Sequence, residues 1–308
     1  MKPLLSIVVS VFNEEGNLYS LMDALLKNTE AFSCEIVLVN DGSTDNSRNV
    51  IDDLCNTNPE IVKAIHFSKN FGHEAAMIAG IDHAIGDAVI CMDADLQHPP
   101  ECIPQMLKSF QGGSEIVLMQ RNSRGDGGMK SFFSKMFYRR LSKMSRMPFV
   151  ENASDFFLIS EKVAQLLREN FRERNRFLRG YIQSMGFAMT ILPFDAPARV
   201  AGKSSYSYRK LFRLSYSAIA AFSNAPLNVS LLFGVIMGMV SAGIGIYSLV
   251  MFFVDRPVSG YTTLVVLISF ISAVQFLLMG IMGKYIGFLF DEVKKRPVYI
   301  VDEKSGIN

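Results

Sequence analysis

Residues 90–100, ICMDADLQHPP, carry an apolar run into two aspartates one residue apart and close on a pair of prolines. The run before Asp93, Ala88–Met92, has the length and composition of a buried strand, and the prolines mark the turn that follows it. Residues i and i+2 of an extended chain point the same way, so Asp93 and Asp95 at a strand end can face one hard divalent cation, Mg²⁺ or Mn²⁺, with Gln97 adding an oxygen. Such an ion would also neutralise a diphosphate as it leaves. The same tripeptide also serves as an ordinary polar loop, and the surrounding sequence has to decide between the two.

On both sides of this stretch the pattern repeats. Short β-branched runs at Leu5–Val11, Glu35–Asn40, Val62–Phe67 and Ile116–Gln120 alternate with amphipathic stretches that begin near Asn17, Asp45, Glu74 and Glu101. This alternation predicts βαβ units and a mostly parallel sheet, an α/β fold, in which ligands gather at the carboxyl ends of the strands. Those ends are polar: Asn13-Glu14, Asp41-Gly42-Ser43, Lys69-Asn70-Phe71-Gly72 and Asp93-Ala94-Asp95. Asp41 is open to two readings, a carboxylate for a base or ribose, or turn chemistry beside a helix that Ser43 or Asp45 caps. His73, His83 and His98 have no partner at ligand spacing and read as surface or packing residues.

The chain of 308 residues is 49% hydrophobic with a mean hydropathy of +0.23, apolar for a soluble protein of this size. The excess sits in two uncharged stretches, Leu214–Val254 and Pro257–Gly283, separated by Asp255-Arg256. Each exceeds the roughly 20 residues that cross a bilayer, and they predict transmembrane helices over 228–253 and 262–286. Arg209, Lys210 and Arg213 before the pair, and Lys284, Lys294, Lys295 and Arg296 at or after its end, predict cytoplasmic termini. The apolar run Leu4–Phe12 passes straight into Asn13-Glu14-Glu15 and reads as a buried strand, not a cleavable signal. Between Ser205 and Ser223, apolar positions at helical spacing opposite those basic residues predict an interfacial amphipathic helix, with a helix packed on the soluble domain as the alternative. Gly234 and Gly238 form a G-x-x-x-G that either seats one helix on another or has no packing role.

Within 121–205 the chain is richer in Arg, Gly and Phe and less periodic, as in an extension with loops such as Arg124–Gly128. The organisation predicted is a catalytic domain over 1–205, the interfacial helix and linker over 206–226, the helix pair over 227–290 and a cytoplasmic tail over 291–308. A net charge of +2 without a basic stripe gives no sign of nucleic-acid binding. Four cysteines, Cys34, Cys55, Cys91 and Cys102, lack zinc-type spacing and read as reduced thiols in a cytosolic domain.

The ordered set VVSVFNEEGNL, IVLVNDGSTDNS, SKNFGHEAAMIAG, MDADLQHPPE, SDFFLIS, RNRFLRGY and RVAGKSSY, followed by two apolar spans, resembles a family 2 glycosyltransferase. More narrowly it resembles the polyprenyl-phosphate glycosyltransferases, which include bactoprenol (undecaprenyl-phosphate) glucosyltransferases and dolichol-phosphate mannose synthase. The resemblance implies a GT-A fold, a nucleotide-sugar donor and inverting transfer to a lipid phosphate at the cytoplasmic face of a bacterial inner membrane. It assigns Ser10, Phe12, Glu14, Asp41, Lys69 and Asp93 to the nucleotide sugar. Asp93, Asp95 and Gln97 go to the metal and diphosphate, Asp155 to catalysis, and Arg121, Arg176, Arg179, Arg199 and Lys203 to phosphates and acceptor. Ser10, Lys69 and Ser205 stand where the family often has proline, arginine and lysine. A homo-oligomer, a tetramer in related enzymes, is also implied.

Glucose from UDP-glucose is the expected donor, in O-antigen or other envelope glycan modification, with UDP-aminosugars, UDP-galactose or GDP-mannose as alternatives. Two other classes compete. A processive polysaccharide synthase would carry a Q-x-x-R-W motif, but this sequence has no Trp. A non-enzymatic nucleotide-sugar-binding membrane protein would tolerate loss of Asp93, Asp95 or Asp155.

Overall fold

The computed structural model describes residues 4–122, 150, 153–173, 177–195, 197, 225–254 and 260–307. Arg176, Arg199, Lys203, the loop Arg124–Gly128 and the expected interfacial helix up to residue 224 lie outside these residues. The chain divides into two units, Met1–Leu211 with Pro297–Asn308, and Phe212–Arg296.

In the first unit the strands are β1 Leu5–Val11, β2 Cys34–Asn40, β3 Val62–Phe67, β4 Ala88–Asp93, β5 Ile116–Arg121, β6 Ala153–Ser160, β7 Met189–Phe194 and β8 Val301–Ser305. Helices α1 Leu18–Thr29, α2 Ser47–Thr57, α3 His73–His83, α4 Ile103–Gln111, α5 Glu161–Asn170 and α6 Leu178–Ser184 connect or flank them. One sheet has the order β7-β5-β6-β4-β1-β2-β3-β8. β1 pairs in parallel with β2 and β4, β2 with β3, and β5 with β7, while β8, β4–β6 and β5–β6 pairings are antiparallel. The expected α/β fold with a mostly parallel sheet is present, and its first four strands start or end within a residue of the expected positions.

Continuous burial explains why β1 reads as one apolar run: all seven of its residues are covered, as in a parallel strand with helices on both faces. α3 lies so close on it that a Cβ at Gly80 would stand 2.0 Å from Val8 Cγ1. The chain order reverses at β1, with β2 on one side and β4 on the other, the point at which an open α/β sheet forms a crevice. Registers Ser10↔Asp93 and Val11↔Asn40 bring three carboxyl ends level there. β6 runs against β4 with Cys91 opposite Phe157; continuing that register by two residues sets Asp155 across from Asp93.

The last strand differs from the expected tail over 291–308. β8 covers the outer edge of β3, which would otherwise expose unpaired backbone groups. Tyr299 stacks on Phe67 with centroids 5.1 Å apart, and its hydroxyl donates to Asp82 Oδ2 at 2.7 Å. Arg172 donates to both oxygens of Asp82, at 2.7 and 3.0 Å, and Arg48 pairs with Asp302 and Glu303. Ser68 N–H donates to Ile300 O at 3.1 Å, so this segment also holds the start of the loop after β3.

The second unit contains two long helices in mutual contact, α7 Ala225–Phe253 of 29 residues and α8 Tyr261–Val293 of 33. Two spans, 228–253 and 262–286, were expected. Among the described residues one segment, Phe270–Val293, is long and apolar enough to cross a membrane, and α7 contributes a shorter apolar stretch, Leu232–Tyr247. Length and composition of the described residues therefore give one span where the sequence suggested two. A Cβ added at Gly234 or Gly238 would meet nothing within 4 Å, so the G-x-x-x-G does not seat α7 on α8.

Candidate active site

The loop after β1 and the loop after β2 are tied into one rim. Asn13, in the left-handed region at φ 57°, accepts from Thr44 N–H at 2.8 Å, while its own N–H donates to Ser43 Oγ at 3.0 Å. Glu14 N–H donates to Ser47 Oγ at 3.0 Å, and the Glu14 carboxylate accepts from Asn17 Nδ2 at 2.6 Å. Phe12 stands 44% exposed at the strand end, open to a flat ligand.

Asp41 is buried, and its carboxylate accepts from Phe71 N–H at 2.6 Å and from Gly72 N–H at 3.0 Å. In this structure it fixes the loop after β3. Gly42, at φ +65°, allows that approach: a Cβ there would lie 2.4 Å from Lys69 C. Lys69 is exposed, its Nζ 5.2 Å from the centre of the Phe71 ring. The pinned loop delivers His73, the first residue of α3, into the crevice.

Around His73 the elements converge. Its Nδ1 lies 2.8 Å from Ser10 Oγ and 3.2 Å from Asp93 Oδ1, and its Nε2 lies 3.6 Å from Asp155 Oδ2. Ser10 Oγ donates to Asp93 Oδ1 at 3.2 Å. Arg179, on α6, sets Nε 2.8 Å from Asp155 Oδ1 and donates from Nη1 to Ala153 O at 2.7 Å. Arg179, expected at a phosphate, is thus engaged with the candidate catalytic aspartate.

The charges follow from these contacts. Burial disfavours the imidazolium of His73, but Asp93 and Asp155 on either side outweigh it and raise the group to about 9. Burial would raise Asp155 as well; Arg179 first, then His73, overcome this and hold it well below the usual carboxylate range. Glu74 has less compensation, and burial with the nearby Asp155 charge lifts it to about 7.

His98 is a packing residue, as expected. It is fully buried, stacks on Phe156 at 5.2 Å and accepts from Asp93 N–H through Nδ1 at 2.9 Å. That bond leaves the proton on Nε2, which donates to Ser154 Oγ at 2.7 Å. Burial lowers its pKa, so the ring is neutral. Arg121, at the end of β5, has Nη2 3.5 Å from His98 Nε2.

The sequence-predicted Ser10, Asp93, Asp155 and Arg179 come together in this cluster. Phe12, Glu14, Asp41 and Lys69 form or brace the neighbouring rim, and Arg176, Arg199 and Lys203 lie outside the described residues. His73 and Glu74 were missed. From the sequence His73 reads as a surface or packing residue, although it follows the third decorated strand end.

The D-x-D chain leaves the extended conformation after Asp93. Leu96 is at φ 59°, and Asp95 Oδ1 accepts from Gln97 N–H at 3.1 Å. Among the described residues no three His, Cys, Asp or Glu side chains form a closed metal site. Half-buried Asp93 and Asp95 offer the hard carboxylate oxygens that suit a divalent cation.

The site is thus a parallel α/β sheet with carboxylates at the ends of β1, β2 and β4, faced by an arginine-held aspartate from β6. Residues 6–170 match the sequence pattern of "Glycosyl transferase family 2". The "Uncharacterized glycosyltransferase sll0501" of Synechocystis sp. is 38% identical over 98% of this chain and 96% of its own. The "SfII prophage-derived bactoprenol glucosyl transferase" of Shigella flexneri is 36% identical over 96% of this chain and 97% of its own. A solved glucosyl-3-phosphoglycerate synthase from Mycobacterium tuberculosis is 17% identical, with a TM-score of 0.48 over 71% of this chain and 76% of that one. The chain belongs to glycosyl transferase family 2.

Proposed function

We propose that this enzyme transfers glucose from UDP-glucose to undecaprenyl phosphate at the cytoplasmic face of the bacterial inner membrane, with inversion at the anomeric carbon. The observation that carries the reading is the extent of the likeness to a bactoprenol glucosyl transferase: it covers 96% of the chain and so includes α7 and α8, not the catalytic sheet alone. A polyprenyl acceptor needs both parts, a sugar-nucleotide crevice and an apolar anchor at the lipid. On this reading both apolar stretches span the membrane, both termini are cytoplasmic, and the enzyme is a homo-oligomer. The product would supply envelope glycan modification.

In the reaction a phosphate oxygen of the acceptor attacks the anomeric carbon as its bond to the nucleotide diphosphate breaks, and UDP leaves. A phosphomonoester has a second pKa near ~6, so the acceptor arrives largely as a dianion and is its own nucleophile. The protein must align two anions and stabilise the departing one. Phe12 and the Asn13–Asp41 rim would receive the nucleotide, and Asp93, Asp95 and Gln97 would hold a Mg²⁺ or Mn²⁺ that neutralises the diphosphate. Arg121, with Arg176, Arg199 and Lys203, would bind phosphates. Asp155 faces the acceptor as a permanent carboxylate.

The test is incubation of membranes containing the full chain with undecaprenyl phosphate and a panel of labelled nucleotide sugars. Label should enter lipid from UDP-glucose and be lost in Asp95→Ala and Asp155→Ala. Transfer from another donor alone would replace glucose in the reading, and turnover by both variants at the parent rate would overturn the site.

A further inference from the structure

Among the described residues His73 is the side chain that reaches both Asp93 and Asp155. Continued by two residues beyond Cys91↔Phe157, the antiparallel register of β4 and β6 brings Asp155 across from Asp93, and like charges in that relation repel. The imidazole stands between them, with Nδ1 beside Ser10 Oγ and Asp93 Oδ1 and Nε2 toward Asp155 Oδ2. Its backbone is fixed from outside the crevice: Gly72 N–H is held by Asp41, and Gly72 O accepts from Ala75 N–H at 2.8 Å in the first turn of α3. Each carboxylate also has a second anchor, Ser10 Oγ for Asp93 and Arg179 Nε for Asp155. The ring completes a connected row, Ser10–Asp93–His73–Asp155–Arg179, that runs from β1 to α6.

We propose that His73 is a positioning residue that sets the spacing between the donor side of the site, Asp93, and the acceptor side, Asp155, with one edge of its ring for each. The assignment of sides rests on the function proposed above. It follows that the two edges have separable effects. Asparagine carries its amide nitrogen at the δ position and can replace the edge facing Ser10 and Asp93, whereas glutamine carries it at the ε position and can replace the edge facing Asp155.

The experiment uses the full chain in detergent micelles, with UDP titrated as the donor-side probe and transfer to undecaprenyl phosphate at saturating donor as the acceptor-side probe. His73→Asn should bind UDP within about threefold of the parent and lose at least tenfold in kcat. His73→Gln should weaken UDP binding at least tenfold and keep its acceptor KM within about threefold. His73→Ala should lose both. An absent or reversed split overturns the proposal. Parent protein that neither binds UDP nor transfers sugar would instead refute the proposed function. A second measurement does not need these variants to fold: the chain has four histidines, so selective ¹⁵N labelling gives few imidazole resonances. Asp93→Asn should shift His73 Nδ1 and Asp155→Asn should shift Nε2; resonances that stay in place in both variants overturn the proposal.

Discussion

Gly42→Ala tests whether the crevice depends on the close approach of two loops. The residue is at φ +65°, where an L side chain costs about 1–2 kcal/mol. Its new Cβ would stand 2.4 Å from Lys69 C, 2.6 Å from Asn70 N and 2.8 Å from Lys69 Cα, all backbone atoms that cannot turn aside. Ordinary contact begins near 3.4 Å, so the loop after β3 must withdraw by 3.4 − 2.4 = 1.0 Å. Adding that withdrawal to the 2.6 Å bond between Phe71 N–H and Asp41 gives 3.6 Å, which is no longer a hydrogen bond. A buried carboxylate then loses a donor, at about 1.5–3 kcal/mol. Strain and lost bond together come to roughly 2.5–5 kcal/mol, a large part of a domain's stability.

For a unit of this size the melting temperature should fall by roughly 5–20 °C. Thermal unfolding of the detergent-solubilised chain measures it, and UDP titration reports the crevice. Gly113→Ala is the control: its φ is +99° but nothing lies within 4 Å of the new Cβ, so it has strain without the clash and should fall by less. If Gly42→Ala melts within about 2 °C of the parent, or no lower than Gly113→Ala, the pinned-loop argument is wrong.

Glu35 is 3% exposed and accepts from Ser6 Oγ, Lys63 Nζ and Ile85 N–H, so Glu35→Ala should cost about 2–4 kcal/mol in denaturant unfolding by leaving Ser6, Ile85 N–H and the half-buried Lys63 without their acceptor. Tyr299→Phe removes the hydrogen bond to the Asp82 carboxylate and keeps the stack on Phe67; it should cost about 1.5–3 kcal/mol, while deletion of 297–308 should also weaken UDP binding through the loss of Ser68–Ile300. Glu74 is raised from 4.5 to about 7, so the folded state holds its proton more tightly than the unfolded chain and stability falls as pH rises from 4.5 to 7. Glu74→Gln should therefore melt higher than the parent at pH 8 and alike at pH 4; equal melting at both values would exclude a buried, protonated Glu74.

The parallel half of the sheet was legible because strands covered on both faces must be mostly apolar, and β1 to β4 are, with polar residues such as Glu35 and His66 held by partners. β8 was not legible: VDEKS covers an edge, faces solvent, and carries the charges that edges tolerate. Its partners, Phe67, Arg48 and Asp82, lie more than 200 residues away in the chain. Asp93, Asp155 and Ser10 could be named from sequence because each sits in a strand or at its end within a recognisable motif. Their mutual relation could not, since it depends on the antiparallel return of β6 and on the ring at the start of α3. Arg179 could be counted as basic but not distinguished from a phosphate ligand, because only the fold reveals that its guanidinium lies against Asp155. The D-x-D spacing could not reveal the local path either: the chain bends after Asp93, with Leu96 at φ 59°.

The ion pair with Arg179 also constrains the chemistry of Asp155. A carboxylate held well below its usual range by an arginine 2.8 Å away and by the His73 ring is a poor proton acceptor at neutral pH. If it nevertheless acted as the base, the rate would lose activity only where that carboxylate protonates, far below pH 6. If the acceptor phosphate supplies its own nucleophile, the acid limb should lie near its second pKa of ~6. The two cases separate in Asp155→Asn, assayed for residual transfer to undecaprenyl phosphate between pH 5 and 8. The rate should be much reduced, because the amide no longer pairs with Arg179, but the limb near pH 6 should remain. Disappearance of that limb in Asp155→Asn would assign it to the aspartate, place its titration near pH 6 and refute the reading of a permanent carboxylate. Its persistence would leave Asp155 the task that its contacts suit, holding the acceptor side in register with a carboxylate that does not change charge.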